Sequence, residues 1–193
     1  MTRSPRRLWG TIAALAFSQF ILLAIVLRLP IAALTSWRDA FRDYFSYDQL
    51  SYGAIATTVA NGGSTGVEPF TQTGVSYYPS LWYRVLGQLA SVTGLGIPTV
   101  WTIAGTLIAS ACVLVLGFVA VRITERAWSA ALVGPSLLIG TLTAALGDNW
   151  YLPLSSHAVL WGPFGAMYPL NGEVAAFACA TTGLGLALML LLR

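Results

Sequence analysis

The sequence predicts an all-α integral membrane protein with about four transmembrane helices and two amphipathic interfacial helices in its first outer loop. Three observations carry this reading. The 193 residues are 56% hydrophobic and only 9% charged, where a soluble domain has about 25% charged residues. Mean hydropathy is +0.73. Several apolar runs reach the roughly 20 residues that cover a hydrocarbon core of about 30 Å at about 1.5 Å per residue. All ten basic residues are arginine, which excludes Schiff-base and P-loop lysines from this chain. The formal charge of +3 is too small to point to nucleic acid. Cys112 and Cys179 both lie in apolar runs and read as small packing residues.

The spans come in order along the chain. Leu8 to Leu27 is the first. It exceeds the 7–15 residues of a signal-peptide core and no A-x-A site comes after it, so it reads as an uncleaved helix. Residues 28–98 form the first outer loop. Within it Trp37, Phe41, Tyr44, Asp48, Tyr52, Ile55 and Val59 recur at helical spacing, the pattern of an amphipathic helix with aromatics at headgroup depth. Asn61-Gly62-Gly63 ends that helix, because glycine tolerates a left-handed cap. Ser80 to Val92 returns as a second amphipathic helix, and Gly94-Leu95-Gly96-Ile97-Pro98 breaks it before the second span, Thr99 to Val121. Ala127 to Leu146 is the third span and Val174 to Leu192 the fourth, with a second outer loop over 147–173. A cytoplasmic N-terminus puts Arg3, Arg6, Arg7, Arg122, Arg126 and Arg193 inside against one acid, Glu125, and Arg28, Arg38, Arg42 and Arg84 outside; the six-to-four bias is modest, and the Arg3–Arg7 cluster sets the orientation of the first helix. Both long loops then face outward, as expected of a multi-pass plasma-membrane protein. No span carries an ionisable residue at mid-membrane depth, which argues against a transporter.

One acid stands out. In Ser46 to Ile55, SYDQLSYGAI, Asp48 falls in register with the apolar face rather than beside Asp39 and Asp43. A carboxylate facing lipid or protein costs several kcal/mol unless it is paired or hydrated, so its default reading is functional. The structural alternative is that the helix breaks near Ser46 and Asp48 caps a new one. The two are compatible, since a cap can also hold a carboxylate still.

The order of these elements carries a resemblance. A span, Arg28-Leu29-Pro30, YDQLSYGAIATTVANGG, YYPSLWYRVLGQLASVTGLG and a further span succeed one another. This resembles the N-terminal module of the GT-C superfamily of membrane glycosyltransferases over Leu8 to Ala109. The matching residues are Asp48 with Tyr52, Gly62 or Gly63, Tyr78-Pro79 with Leu81-Trp82, and Gly94. Within that superfamily YDQ, YYP and TGLGIPTVW look most like actinobacterial arabinofuranosyltransferases, which build cell-wall glycan from a polyprenyl-phosphate sugar. Superfamily members have many more spans than four. The resemblance therefore implies that a donor groove draws on further helices, from a longer chain or a second membrane chain.

The resemblance implies transfer of a sugar from a polyprenyl-phosphate donor to a cell-envelope glycan acceptor, with Asp48 as general base. Such a leaving group departs as a lipid phosphate anion. It needs positive charge or hydrogen-bond donors more than a strong acid. Without lysine, Arg28 and Arg84 are the outer-face candidates. Their structural alternatives are snorkelling to headgroups for Arg28 and the polar face of a surface helix for Arg84. Tyr52, Tyr78 and Trp82 supply planes for sugar rings. The second outer loop adds His157, Asn171 and Glu173 among tryptophans and tyrosines, a composition that suits either a sugar site or an interfacial aromatic belt. The sequence identifies no cofactor and leaves metal dependence open. A divalent metal shared by Asp48 and Asp148 is the one such option, and no ligand spacing supports it. The rival reading is a non-catalytic membrane assembly or lipid-binding subunit whose outer loops dock a partner chain.

Overall fold

A computed structural model describes residues 5–26, 48–68, 73–75, 80–137 and 172–192. In chain order the helices are α1 (Pro5–Val26), α2 (Asp48–Ala60), α3 (Leu81–Thr93), α4 (Ile97–Thr124), a 3-10 helix (Ala127–Leu132), α5 (Val133–Leu137) and α6 (Gly172–Leu191). Among the described residues the only β-type pairing is a single antiparallel bridge, Val67 with Val75, in the loop between α2 and α3. Among the described residues three helices are long and apolar enough to cross a membrane: Pro5–Ala24 within α1, α4 and α6. Their outward surfaces carry large apolar side chains, with Phe20 61%, Leu107 64% and Leu184 73% exposed. Water would penalise such surfaces and lipid does not. The chain is an all-α membrane protein.

The spans have a definite register. α1 runs antiparallel to α4. Arg7 Nη2 donates to the Glu125 carbonyl at 2.7 Å, and Gln19 Nε2 donates to the Ser110 carbonyl at 2.8 Å. Between them Leu15 lies against Gly117. α6 runs parallel to α4, with Gly185 against Val115 and Val119. At the far end the Arg122 guanidinium donates to the Leu192 carbonyl at 2.6 and 3.2 Å. The start of α1 and the ends of α4 and α6 therefore share one end of the bundle. There arginines satisfy carbonyls that the helices leave without partners, a favourable place for cations beside helix C-termini.

α4 extends beyond the expected Thr99–Val121 at both ends. Pro98 sits in its first turn, where the missing N–H costs nothing, and Arg122 is held by its bond to Leu192. α1 and α6 begin earlier than expected, at Pro5 and Gly172. The expected third span, Ala127 to Leu146, differs more. Its first six residues form a 3-10 helix and α-helix starts only at Val133; residues 138–146 lie outside the described set. The tight opening follows from local and tertiary bonds. Ser129 Oγ donates to the Arg126 carbonyl at 2.8 Å, and the Thr124 and Ser129 hydroxyls lie 2.9 Å apart. The Gly134 amide donates to the buried Ser18 Oγ of α1 at 2.6 Å. A side chain on Gly134 would run into the Ser18 backbone carbonyl, so α1 and α5 meet at backbone distance, as small residues allow in membrane bundles.

α2 and α3 end as the glycines predict. Gly62, at φ +78°, closes α2: its amide donates to the Val59 carbonyl at 2.9 Å, and the Gly63 amide to Thr58 at 2.8 Å. That pair of bonds is a Schellman cap. Gly94, at φ +69°, closes α3 with its amide on the Ala90 carbonyl at 2.9 Å. Gly183 is a contrasting case: it lies inside α6 with nothing within 4 Å of where a Cβ would be. Gly183→Ala should stabilise the protein by about 0.5–1 kcal/mol through helix propensity alone, read as a rise in the thermal midpoint in detergent.

Candidate functional site

The end of the bundle opposite the arginines is covered by α2 and α3. These two helices lie side by side and run in the same direction: Tyr52 meets Tyr83, while Ala56 and Val59 meet Gly87. Tyr83, Leu86, Gly87 and Ala90 are the buried face of α3, an i, i+3, i+4, i+7 stripe. Ile55 and Ala56 are buried on α2.

Tyr83 is the hub. Its ring stacks on Tyr52 with centroids 4.6 Å apart and planes 7° from parallel. It also meets Trp101, in the second turn of α4, at 5.3 Å and 34°. Its Oη accepts a hydrogen bond from the Gly172 amide, the first residue of α6, at 3.1 Å. Tyr83 and Trp101 are 3% and 1% exposed. Three helices and the entry of a fourth are thus tied through one phenol. A methyl on Gly172 would lie 3.1 Å from Tyr83 Oη and 3.6 Å from Trp82 Cβ, so Trp82 lies over the same helix start. Trp82 is half-buried, and its Nε1 has no hydrogen-bond partner among the described residues.

The expected site residues separate into three groups. Tyr52 and Trp82 come together around Gly172 and Tyr83. Glu173 is exposed in the first turn of α6, where a carboxylate complements the positive end of the helix dipole. Arg84 is exposed on α3, next to Tyr83 in sequence and off the buried stripe; this is the polar-face position of a surface helix. Asp48 is the first residue of α2, one turn before Tyr52, which places its backbone at this end of the bundle. The Asp48 side chain, Arg28, Tyr78, His157 and Asn171 lie outside the described residues, as does Asp148. Among the described residues no three His, Cys, Asp or Glu side chains gather as metal ligands would.

Tyr83 and Trp101 were not singled out by sequence reasoning, which stopped at Trp82 and Arg84 on either side of Tyr83. The stripe Tyr83, Leu86, Gly87, Ala90 carries the signal that identifies Tyr83 as the inward residue. Tyr83→Phe should cost about 1 kcal/mol, the net worth of one hydrogen bond, while keeping the ring stack. Tyr83→Ala should cost about 3–5 kcal/mol, as other large aromatic truncations do. Denaturation in detergent followed by near-ultraviolet circular dichroism separates the two.

No protein-family model, curated protein or solved structure matches the chain. The fold by itself defines a multi-helix membrane protein with an aromatic, hydrogen-bonded platform at one end and an arginine-rich face at the other.

Proposed function

We propose that the chain is the N-terminal module of a GT-C type membrane glycosyltransferase. It transfers a sugar from a polyprenyl-phosphate donor to a cell-envelope glycan acceptor. Arabinofuranose is the sugar favoured by the short sequence matches. The platform end faces outward and the arginine end the cytoplasm, in a plasma membrane. The observation that carries the reading is the placement of Asp48. It opens the helix whose next turn feeds Tyr52 into the aromatic stack at the starts of α4 and α6. This is the depth at which a lipid phosphate and a sugar hydroxyl can meet.

The chemistry rests on that placement. Asp48 takes the proton of the acceptor hydroxyl as its oxygen attacks the anomeric carbon. The bond from that carbon to the phosphate oxygen breaks with inversion, and the polyprenyl phosphate leaves as an anion. Arg28 and Arg84 are the cations available to receive it, Arg's planar fork suiting phosphate. Tyr52, Tyr78 and Trp82 stack on sugar faces, and His157, Asn171 and Glu173 hydrogen-bond hydroxyls.

The test is transfer of labelled sugar from a polyprenyl-phosphate donor by the purified full chain, with Asp48→Asn as the comparison. Transfer by the wild type and its loss in the variant support the reading. An inserted wild-type protein that neither transfers sugar nor binds the donor, alone or together with the membrane partner it copurifies with, would instead establish the non-catalytic subunit.

A further inference from the structure

The arginine end of the bundle holds more charge than its internal bonds use. Arg7 and Arg122 are tied to the Glu125 and Leu192 carbonyls. Arg6 and Arg126 are exposed, and their side chains make no hydrogen bond or ion pair among the described residues. Among the described residues four arginines therefore stand here against one acid, Glu125. The geometry that gathers them is built, not incidental. The Arg7 bond brings the start of α1 to the turn after α4. There Glu125 takes a left-handed φ of 58° and the Arg126 amide donates to Thr124 Oγ1 at 3.2 Å. A Cβ on Gly10 would sit 3.4 Å from the Ala127 side chain. That contact is flanked by Trp9 and Trp128, which are 68% and 54% exposed. Indole rings on the surface of a membrane bundle belong at headgroup level. The patch thus sits where phospholipid phosphates are.

We propose that this face is a binding site for an anionic phospholipid headgroup, with Arg6 and Arg126 on the phosphate and Trp9 and Trp128 against the glycerol and upper acyl region. The arginines provide the fork that matches phosphate oxygens. A zwitterionic headgroup brings its own ammonium and gains less from surplus positive charge. This site lies at the opposite end from Asp48 and does not depend on the enzymatic reading.

Native mass spectrometry of the full chain in detergent, with phosphatidylglycerol and phosphatidylcholine in competition, tests it. Phosphatidylglycerol should be retained preferentially. That preference should shrink as ammonium acetate rises from about 0.1 M to about 1 M, which shortens the Debye length from about 10 Å to about 3 Å. The double substitution Arg6→Gln, Arg126→Gln should weaken phosphatidylglycerol retention by roughly 30-fold, about fivefold per arginine. Phosphatidylcholine retention should fall by much less, and helix content should be unchanged. Arg6→Lys with Arg126→Lys should keep most of the preference. A wild type with no preference, a preference indifferent to salt, or a glutamine double variant that retains it would each overturn the site. The first two need no variant and stand even if the double substitution misfolds.

Discussion

Asp48→Asn should reduce sugar transfer by about 10²–10⁴-fold, the usual contribution of a positioned general base, equivalent to about 3–5 kcal/mol on the barrier. The substitution is nearly isosteric and removes only the ability to accept a full proton. It also separates catalysis from a role in starting the helix. Asp48 is the first residue of α2, one place after the cap position, where a carboxylate is worth about 0.3–1 kcal/mol beside the positive end of the helix dipole. A residue that only starts the helix would leave Asp48→Asn fully active and at most about 1 kcal/mol less stable. A catalytic base makes Asp48→Asn inactive with no larger change in stability. Turnover in the asparagine variant, measured beside its thermal midpoint and membrane insertion, distinguishes these outcomes; wild-type turnover would refute the assignment.

Gly87→Val should be among the most damaging single changes in the described packing, at about 3 kcal/mol or more. A Cβ at Gly87 would lie 2.7 Å from Val59 Cβ and 2.9 Å from Val59 Cγ1, and would also press on the Ala56 carbonyl. The obstruction includes backbone, so no rotamer change relieves it. α2 must move off α3, and the Tyr52–Tyr83 stack must part with it. The readouts are a lower midpoint of unfolding in detergent and loss of the near-ultraviolet aromatic signal. Because α2 also carries Asp48, sugar transfer should fall too, although every proposed catalytic side chain is still present. Gly183→Ala is the matched control, since its surroundings are open.

Some of this organisation was legible residue by residue. Gly62 and Gly94 mark the ends of α2 and α3 because a positive φ is a property of one backbone position. Pro98 marks the opening of α4 for the same kind of reason. The arginines at Arg7 and Arg122 group at one end as the charge bias implies, but only the structure reveals that they bond to carbonyls. The 3-10 opening of 127–132 was not legible. Its residues are apolar and helix-compatible, and it is tightened by the Thr124–Ser129 pair and the close approach of Gly134 to Ser18, 116 residues away. Sequence reading passed over Tyr83 for a related reason. Type alone does not say which of three adjacent residues faces the starts of two other helices.

The sequence by itself determined a membrane-spanning all-α chain and the C-terminal ends of α2 and α3, and left open whether Asp48 lies within a helix or at the start of one. Hydropathy and backbone preference are local quantities, so they survive without knowledge of neighbours. Only the tertiary structure decided that α2 and α3 lie parallel across the starts of α4 and α6, that Tyr83 joins them, and that α1 meets α5 at backbone distance. Those outcomes depend on which glycines admit a neighbouring helix at contact distance. That is a relation between surfaces distant in sequence, and spacing within either segment does not encode it.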